Sequence, residues 1–296
     1  MSIRRVGVVG AGTMGRRIAF ACVTRGIETR LFDVVPASRE QAWDWVRAQI
    51  DQRERDRRVP RGTGAAAERL LSLSGSLEAC VTGADLVIET VPENVTLKRK
   101  VFAEIGRYAS PESLLGTNTS SIPGSALADA ARFPERVFNF NWGHIDHLKV
   151  EVMPHPGTAP ATIEVAVAFV RALGLVPIRD RVEIQGYGTN RIWRAVKKEV
   201  LKQLDRGVLG PEDVDRAWML DWHVPIGPCG LMDQIGLDVI RDIEMIYFDF
   251  SGDPSDKPPK LLDDMIAAGK LGVKSGEGFY QYPDPAYQKP GWMTEG

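Results

Sequence analysis

Residues 5–33 read RVGVVGAGTMGRRIAFACVTRGIETRLFD, and the fold is decided there. A short apolar run, Val6–Val9, leads straight into Gly10-Ala11-Gly12-Thr13-Met14-Gly15. From Thr13 to Arg25 the apolar side chains recur at helical spacing, and Glu28–Phe32 reads as a second strand ending at Asp33. A G-x-G-x-x-G pattern alone is weak. Between a strand and a helix, with an acid at the tip of the next strand about twenty residues on, it is the fingerprint of a dinucleotide site. Gly10 permits the tight turn, Gly12 lets the backbone approach a pyrophosphate, and Gly15 lets helix and strand pack closely. With Thr13 and Met14 they open a helix whose free N–H groups and positive dipole end attract phosphate. Asp33 accepts hydrogen bonds from the adenosine ribose hydroxyls. A 2′-phosphate would meet a like charge there, and Val34 and Val35 supply no compensating cation, so the reading is NAD rather than NADP.

Further along, apolar runs keep alternating with helical patterns to about residue 185. The runs are Leu86–Ile88, Leu114–Gly116, Val137–Phe140, Val150–Met153 and Val176–Ile178, and the helical segments include Val95–Tyr108 and Ala161–Leu173. This alternation predicts an α/β Rossmann domain over residues 1–185, mostly parallel, with an antiparallel edge where the last runs crowd together. The stretch Pro36–Leu71 reads as two helices broken near Pro60-Arg61-Gly62, and it carries Arg53, Arg55, Arg57, Arg58 and Arg61. Two readings of this cluster stand side by side: a solvated face paired with Asp51, Glu54 and Asp56, or a grip for an anion. Beyond Gln185 the pattern becomes helical, in Tyr187–Arg206, Asp213–Trp218, Leu231–Phe248 and Leu261–Ala268, with a strand read only at Gly278–Tyr282. Residues 186–296 are therefore expected to form an all-helical C-terminal domain, with Pro283–Gly296 irregular and loosely attached.

Composition narrows the function classes. A net charge of −2 argues against a nucleic-acid partner. No apolar run is long enough for a membrane span. Three scattered cysteines, Cys22, Cys80 and Cys229, form no paired motif, which points to reduced thiols in a cytoplasm. His144, Asp146, His147 and His155 follow no zinc spacing, so no metal is expected.

Four further stretches carry a family resemblance. Gly83-Ala84-Asp85-Leu86-Val87-Ile88-Glu89-Thr90-Val91-Pro92-Glu93-Asn94, Asn118-Thr119-Ser120-Ser121, Phe133-Pro134-Glu135-Arg136-Val137 and Leu271-Gly272-Val273-Lys274-Ser275-Gly276-Glu277-Gly278-Phe279-Tyr280 resemble motifs of the 3-hydroxyacyl-CoA dehydrogenase family. The resemblance spans nearly the whole chain. It implies NAD-dependent hydride transfer at a secondary alcohol, a helical C-terminal domain and a homodimer. It also implies that Glu93, Lys98 and Asn118 lie near the cofactor and that Ser120 bonds the substrate oxygen. By the same likeness Glu151 orients the catalytic base, and Asn190 is the active-site asparagine that opens the second domain.

The pattern breaks at one place. The family's histidine follows the F-P-E-R-V motif, and here Asn141 stands at that position, in Phe138-Asn139-Phe140-Asn141-Trp142-Gly143-His144-Ile145-Asp146-His147. An imidazole can accept the hydroxyl proton released by hydride transfer, whereas an amide does not titrate near neutral pH. Asn141 can still donate a hydrogen bond to a carbonyl oxygen. Three explanations follow: the base has moved to His144 or His147, Glu151 acts directly or through water, or bound NAD serves a redox-neutral or non-catalytic role. The leading expectation is an oxidoreductase acting on a small anionic or acyl-CoA-like substrate, with His144 as the replacement base.

Overall fold

The computed structural model describes residues 2–143 and 148–294. The chain divides into two compact units, Met1–Gly188 and Thr189–Gly296.

In the first unit, β1 (Arg5–Val9), α1 (Thr13–Val23) and β2 (Glu28–Phe32) form the opening βαβ unit. The arginine-rich stretch then folds as α2 (Pro36–Arg55) and α3 (Thr63–Leu70), parted by Pro60 and by Gly62 at φ 88°. It is followed by a three-residue strand, β3 (Leu71–Leu73), that the sequence reading missed. The chain continues through α4 (Leu77–Val81), β4 (Leu86–Glu89), α5 (Val95–Tyr108), β5 (Leu114–Thr117) and α6 (Ser125–Ala128). It ends with β6 (Val137–Trp142), β7 (Lys149–Pro154), α7 (Pro160–Ala172) and β8 (Val176–Arg179). The eight strands lie in the order β3-β2-β1-β4-β5-β6-β7-β8. Pairing is parallel up to β6. β7 then runs antiparallel to β6, and β8 parallel to β7.

Strand periodicity distributes the core. On β4, Leu86 and Ile88 pack on one face with β1 and α1, while Val87 packs on the other with Phe102 and Ile105 of α5. A sheet covered on both faces demands apolar residues at consecutive positions, which is why these strands read as continuous apolar runs. The order reverses between β1 and β4, and a crevice opens there beyond the strands' carboxyl ends.

The second unit is helical: α8 (Gly188–Asp205), α9 (Pro211–Trp222), α10 (Pro228–Ile235), α11 (Leu237–Ser251) and α12 (Lys260–Ala267). The single helix expected over Leu231–Phe248 is two. Gly236, at φ 104°, breaks it, a conformation open to glycine and strained for other residues. Gly278–Tyr282 forms isolated bridges, Gly272 to Glu277 and Glu277 to Gln281, in place of the expected strand. The carboxylate of Asp233 explains the local geometry, since it accepts from the backbone N–H groups of Phe279 and Tyr280, both at 2.9 Å. A Cβ at Gly278 would stand 2.1 Å from Asp233 Oδ1, so the glycine at this position is what admits the acid. The tail is also firmer than expected. Tyr287 and Trp292 are buried in the helical core, Tyr287 packs edge-on against Tyr280, and the Arg216 guanidinium stacks on Trp292.

Candidate active site

The crevice between β1 and β4 continues into a cleft of about 1000 Å³, lined among others by Gly10, Gly12, Thr13, Met14, Asp33, Glu93, Lys98, Asn118, Ser120 and Asn141. At one end, Gly10 takes φ 109°, and a Cβ there would lie 2.7 Å from Thr90 Oγ1. A Cβ on Gly15 would lie 1.8 Å from the Gly10 carbonyl oxygen, so α1 can approach the turn only because Gly15 has no side chain. A Cβ on Gly12 would meet nothing within 4 Å, which places bare backbone against open space. α1 begins without a side-chain cap, leaving its first N–H groups for an anion. Asp33 is held by the N–H groups of Ala11 at 2.8 Å and Val35 at 2.9 Å, one on each oxygen. Its remaining acceptor capacity suits a diol. The residues present thus fit a dinucleotide.

Deeper in the cleft, a buried cation organises two acids. Lys98 and Glu89 are each 1% exposed; Lys98 Nζ donates to Glu89 Oε1 at 2.7 Å and to the Val91 carbonyl at 3.0 Å. Glu89 also accepts from Thr117 Oγ1 at 2.7 Å and Val91 N–H at 2.6 Å. Glu93 lies 3.5 Å from Lys98 Nζ. Its Oε1 collects the donors of the loop after β5: the Thr119 hydroxyl, the N–H groups of Ser120 and Ser121 at 3.2 and 3.1 Å, and Ser121 Oγ at 2.7 Å. Burial pushes the Glu93 carboxyl up, but the Thr119 and Ser121 hydrogen bonds and the Lys98 charge outweigh it and leave it below the usual range. Glu93 therefore stays a carboxylate and holds Ser120 at the cleft wall.

Asn141 and Glu151 meet because the sheet reverses direction. They are directly opposite in the antiparallel register of β6 and β7, and Asn141 Nδ2 donates to Glu151 Oε2 at 3.0 Å. A carboxylate only accepts, so the amide must turn its nitrogen toward Glu151. Glu151 is buried and lies 3.6 Å from Lys149 Nζ. Asn118 Oδ1 accepts from the Trp142 N–H at 2.9 Å, which ties β6 to the loop that carries Ser120.

Asn190 lies in the first turn of α8, in the second unit. His144 lies outside the described residues, as do Asp146 and His147. His155 is buried in the turn after β7, where Nε2 meets the Pro134 carbonyl and Nδ1 accepts from Gly157 N–H. None of the five clustered arginines lines the cleft. Arg53 is buried, bonds Gln49 and stacks on Phe20, and Arg55 bonds Gln52. The sequence reading missed Glu89, Thr117 and Tyr187. Glu89 had left a signal, an acid within an apolar strand nine residues before a lysine.

With the geometry in place, comparison with known proteins identifies the class. The family model for the 3-hydroxyacyl-CoA dehydrogenase NAD-binding domain matches residues 5–182, and that for the C-terminal domain matches residues 186–282. The chain belongs to the 3-hydroxyacyl-CoA dehydrogenase family and is an NAD-dependent oxidoreductase acting on CH–OH groups. It is 30% identical to 5-formyl-3-hydroxy-2-methylpyridine 4-carboxylate 5-dehydrogenase of Mesorhizobium japonicum, over 95% of this chain and 91% of that one. It is 31% identical to the probable 3-hydroxybutyryl-CoA dehydrogenase of Bacillus subtilis, over 96% and 99%. The crystal structure of (S)-3-hydroxybutyryl-CoA dehydrogenase from Ralstonia eutropha superposes with a TM-score of 0.88 at 31% identity, covering 96% of this chain and all of that one.

The Asp33 geometry predicts that NADH binds at least about tenfold more tightly than NADPH, and that Asp33→Ala narrows the gap. Fluorescence titration of both reduced cofactors measures it, and equal affinities in the parent would exclude this role for Asp33.

Proposed function

We propose that the protein interconverts a hydroxyl and a carbonyl group on a small anionic substrate, a free acid or an acyl-CoA-like thioester, using NAD. The observation that carries this reading is one cleft in which the dinucleotide cradle is continuous with Ser120 and the Asn141–Glu151 pair. Bound NAD supplies the hydride acceptor. Ser120 Oγ and the second Asn141 N–H donate to the substrate oxygen, while Glu151 fixes the amide's orientation.

The anionic class draws support from Arg17 rather than from the arginine cluster. Arg17 NH1 lies 3.7 Å from the sulfur of Met14 on the cleft wall, and its guanidinium pairs with no carboxylate among the described residues. Burial first, and Arg16 second, lower its pKa, and an incoming anion would offset the repulsion from Arg16. Two of the relatives are named for a formyl-pyridine carboxylate and for a CoA thioester, both anionic compounds. NADH oxidation should be supported by acetoacetyl-CoA or by formyl and keto carboxylates but not by neutral ketones. Arg17→Ala should raise KM about tenfold or more with a smaller change in kcat. Equal turnover of neutral and anionic substrates would sink the anionic assignment.

Asn141 takes up no proton, so another group does. His144 is three residues further along the chain, and Glu151 already touches the amide. We assign the proton to His144. His144→Ala then lowers kcat about 10²- to 10⁴-fold with NADH binding intact, and His147→Ala does much less. If His144→Ala is silent while Glu151→Gln abolishes turnover, the carboxylate is the base, because glutamine keeps an acceptor for Asn141 and loses only the charge.

The assembly we propose is a homodimer through the helical unit. Val239, Ile246 and Phe250 are exposed along one side of α11, spaced seven and eleven residues from the first. Light scattering at micromolar concentration should return twice the chain mass, and a monomer mass would refute the dimer.

A further inference from the structure

We propose that the Tyr187 hydroxyl is the positioning group for Ser120. Tyr187 is 1% exposed and takes φ 63°, a left-handed conformation that is costly for a bulky side chain and persists only where its surroundings enforce it. The turn around it is fixed on both sides. Gly186 takes φ 80°, and Gly188 N–H donates to Asp180 Oδ1 at 3.2 Å. From this turn the phenol runs inward, and its O–H donates to the Thr119 carbonyl at 2.8 Å.

That carbonyl belongs to the same peptide group as the Ser120 N–H, which donates to Glu93 at 3.2 Å. The peptide plane before Ser120 is therefore pinned at both ends, the carbonyl by Tyr187 and the N–H by Glu93. The Thr119 hydroxyl and the Ser121 N–H hold the flanking residues to Glu93, but the Tyr187 bond is the one that fixes the carbonyl end of this plane. The plane's orientation sets where the Ser120 side chain leaves the backbone, and so where its Oγ stands in the cleft. Thr119 is fully buried, so water cannot replace the missing donor without entering the core. The phenol is kept protonated: burial raises its pKa well above the ordinary value, and Glu151, Glu93 and Asp180 add to this against the amide of Asn139. It acts as a fixed donor and takes no part as a base. A phenylalanine would fill the same space, so the hydroxyl is present for the hydrogen bond.

This inference rests on the substrate role proposed for Ser120, and the test separates the two. Tyr187→Phe, Ser120→Ala and the double variant are compared in acetoacetyl-CoA reduction by NADH. Tyr187→Phe should lower kcat about tenfold with the NADH Kd unchanged, the size of effect that misplacing a substrate-binding group produces. The double variant should be no slower than Ser120→Ala, since a group acting through Ser120 has nothing to position once Oγ is gone. Losses that multiply would overturn the proposal while leaving Ser120 in its role. A silent Ser120→Ala would instead overturn the reading of Ser120. Amide hydrogen exchange of the peptide spanning residues 117–124 decides independently of any substrate. Tyr187→Phe should speed exchange there about tenfold or more without changing strands β1 and β4, and unchanged exchange would refute the positioning role.

Discussion

The cleft depends on one buried cation. Lys98 stands between Glu89 at the end of β4 and Glu93 in the loop that follows, and it also takes the Val91 carbonyl between them. Removing two charges from water is costly, and a buried pair is poor evidence of net stability. What the pair fixes is shape. Lys98 comes from α5, so the ion pair clips that helix to the end of β4 and shapes the turn leading to Glu93. Glu93 in turn gathers the donors of the loop after β5, and Glu89 takes the Thr117 hydroxyl at the end of β5 itself. Without the ammonium, two acids would face each other in a low-dielectric interior, and burial would push each toward its neutral form. A neutral Glu93 could no longer accept from so many donors at once.

Strand direction contributes the second half. A parallel β7 would have needed a long crossover before pairing with β6. The reversal instead brings Asn141 and Glu151 face to face, and because side chains alternate, a slip of one residue would turn one of them to the opposite face of the sheet. The apolar neighbours Phe140, Trp142, Val150 and Val152 hold that register by burial. The polar pair therefore rests on the packing of the residues beside it.

These facts explain what could be read from the chain and what could not. The glycine turn, Asp33 and the alternation of runs and helices are local patterns, and each survives in the fold with ends shifted by a residue or two. β3 left little trace, because only one of its three residues is buried. The break at Gly236 was hidden because the apolar pattern continues across it. The tail looked loose because two aromatic residues, Tyr287 and Trp292, do the anchoring in an otherwise polar stretch. Glu93 and Asn118 came from likeness to a family, and their partners Thr119 and Trp142 are fixed only by tertiary contact. Tyr187 could not be recognised from sequence at all, since its partner lies sixty-eight residues away.

The amide at position 141 changes the electrostatics as well as the proton chemistry. An imidazole beside Glu151 could share its charge by becoming a cation, as an amide cannot. Glu151 accepts from Asn141, a neutral donor, and lies 3.6 Å from Lys149 Nζ. Asp180 feels both neighbours: burial raises its pKa, the Gly188 N–H holds it back, the charge on Glu151 adds to the rise and that on Lys149 opposes it. On the proposed assignment, Asn141 and Ser120 would stabilise the oxygen in the reducing direction as negative charge gathers on it, and the proton would arrive from elsewhere. In the oxidising direction that same proton must leave by the same route, so the pH dependence of the two directions is set by a group other than Asn141.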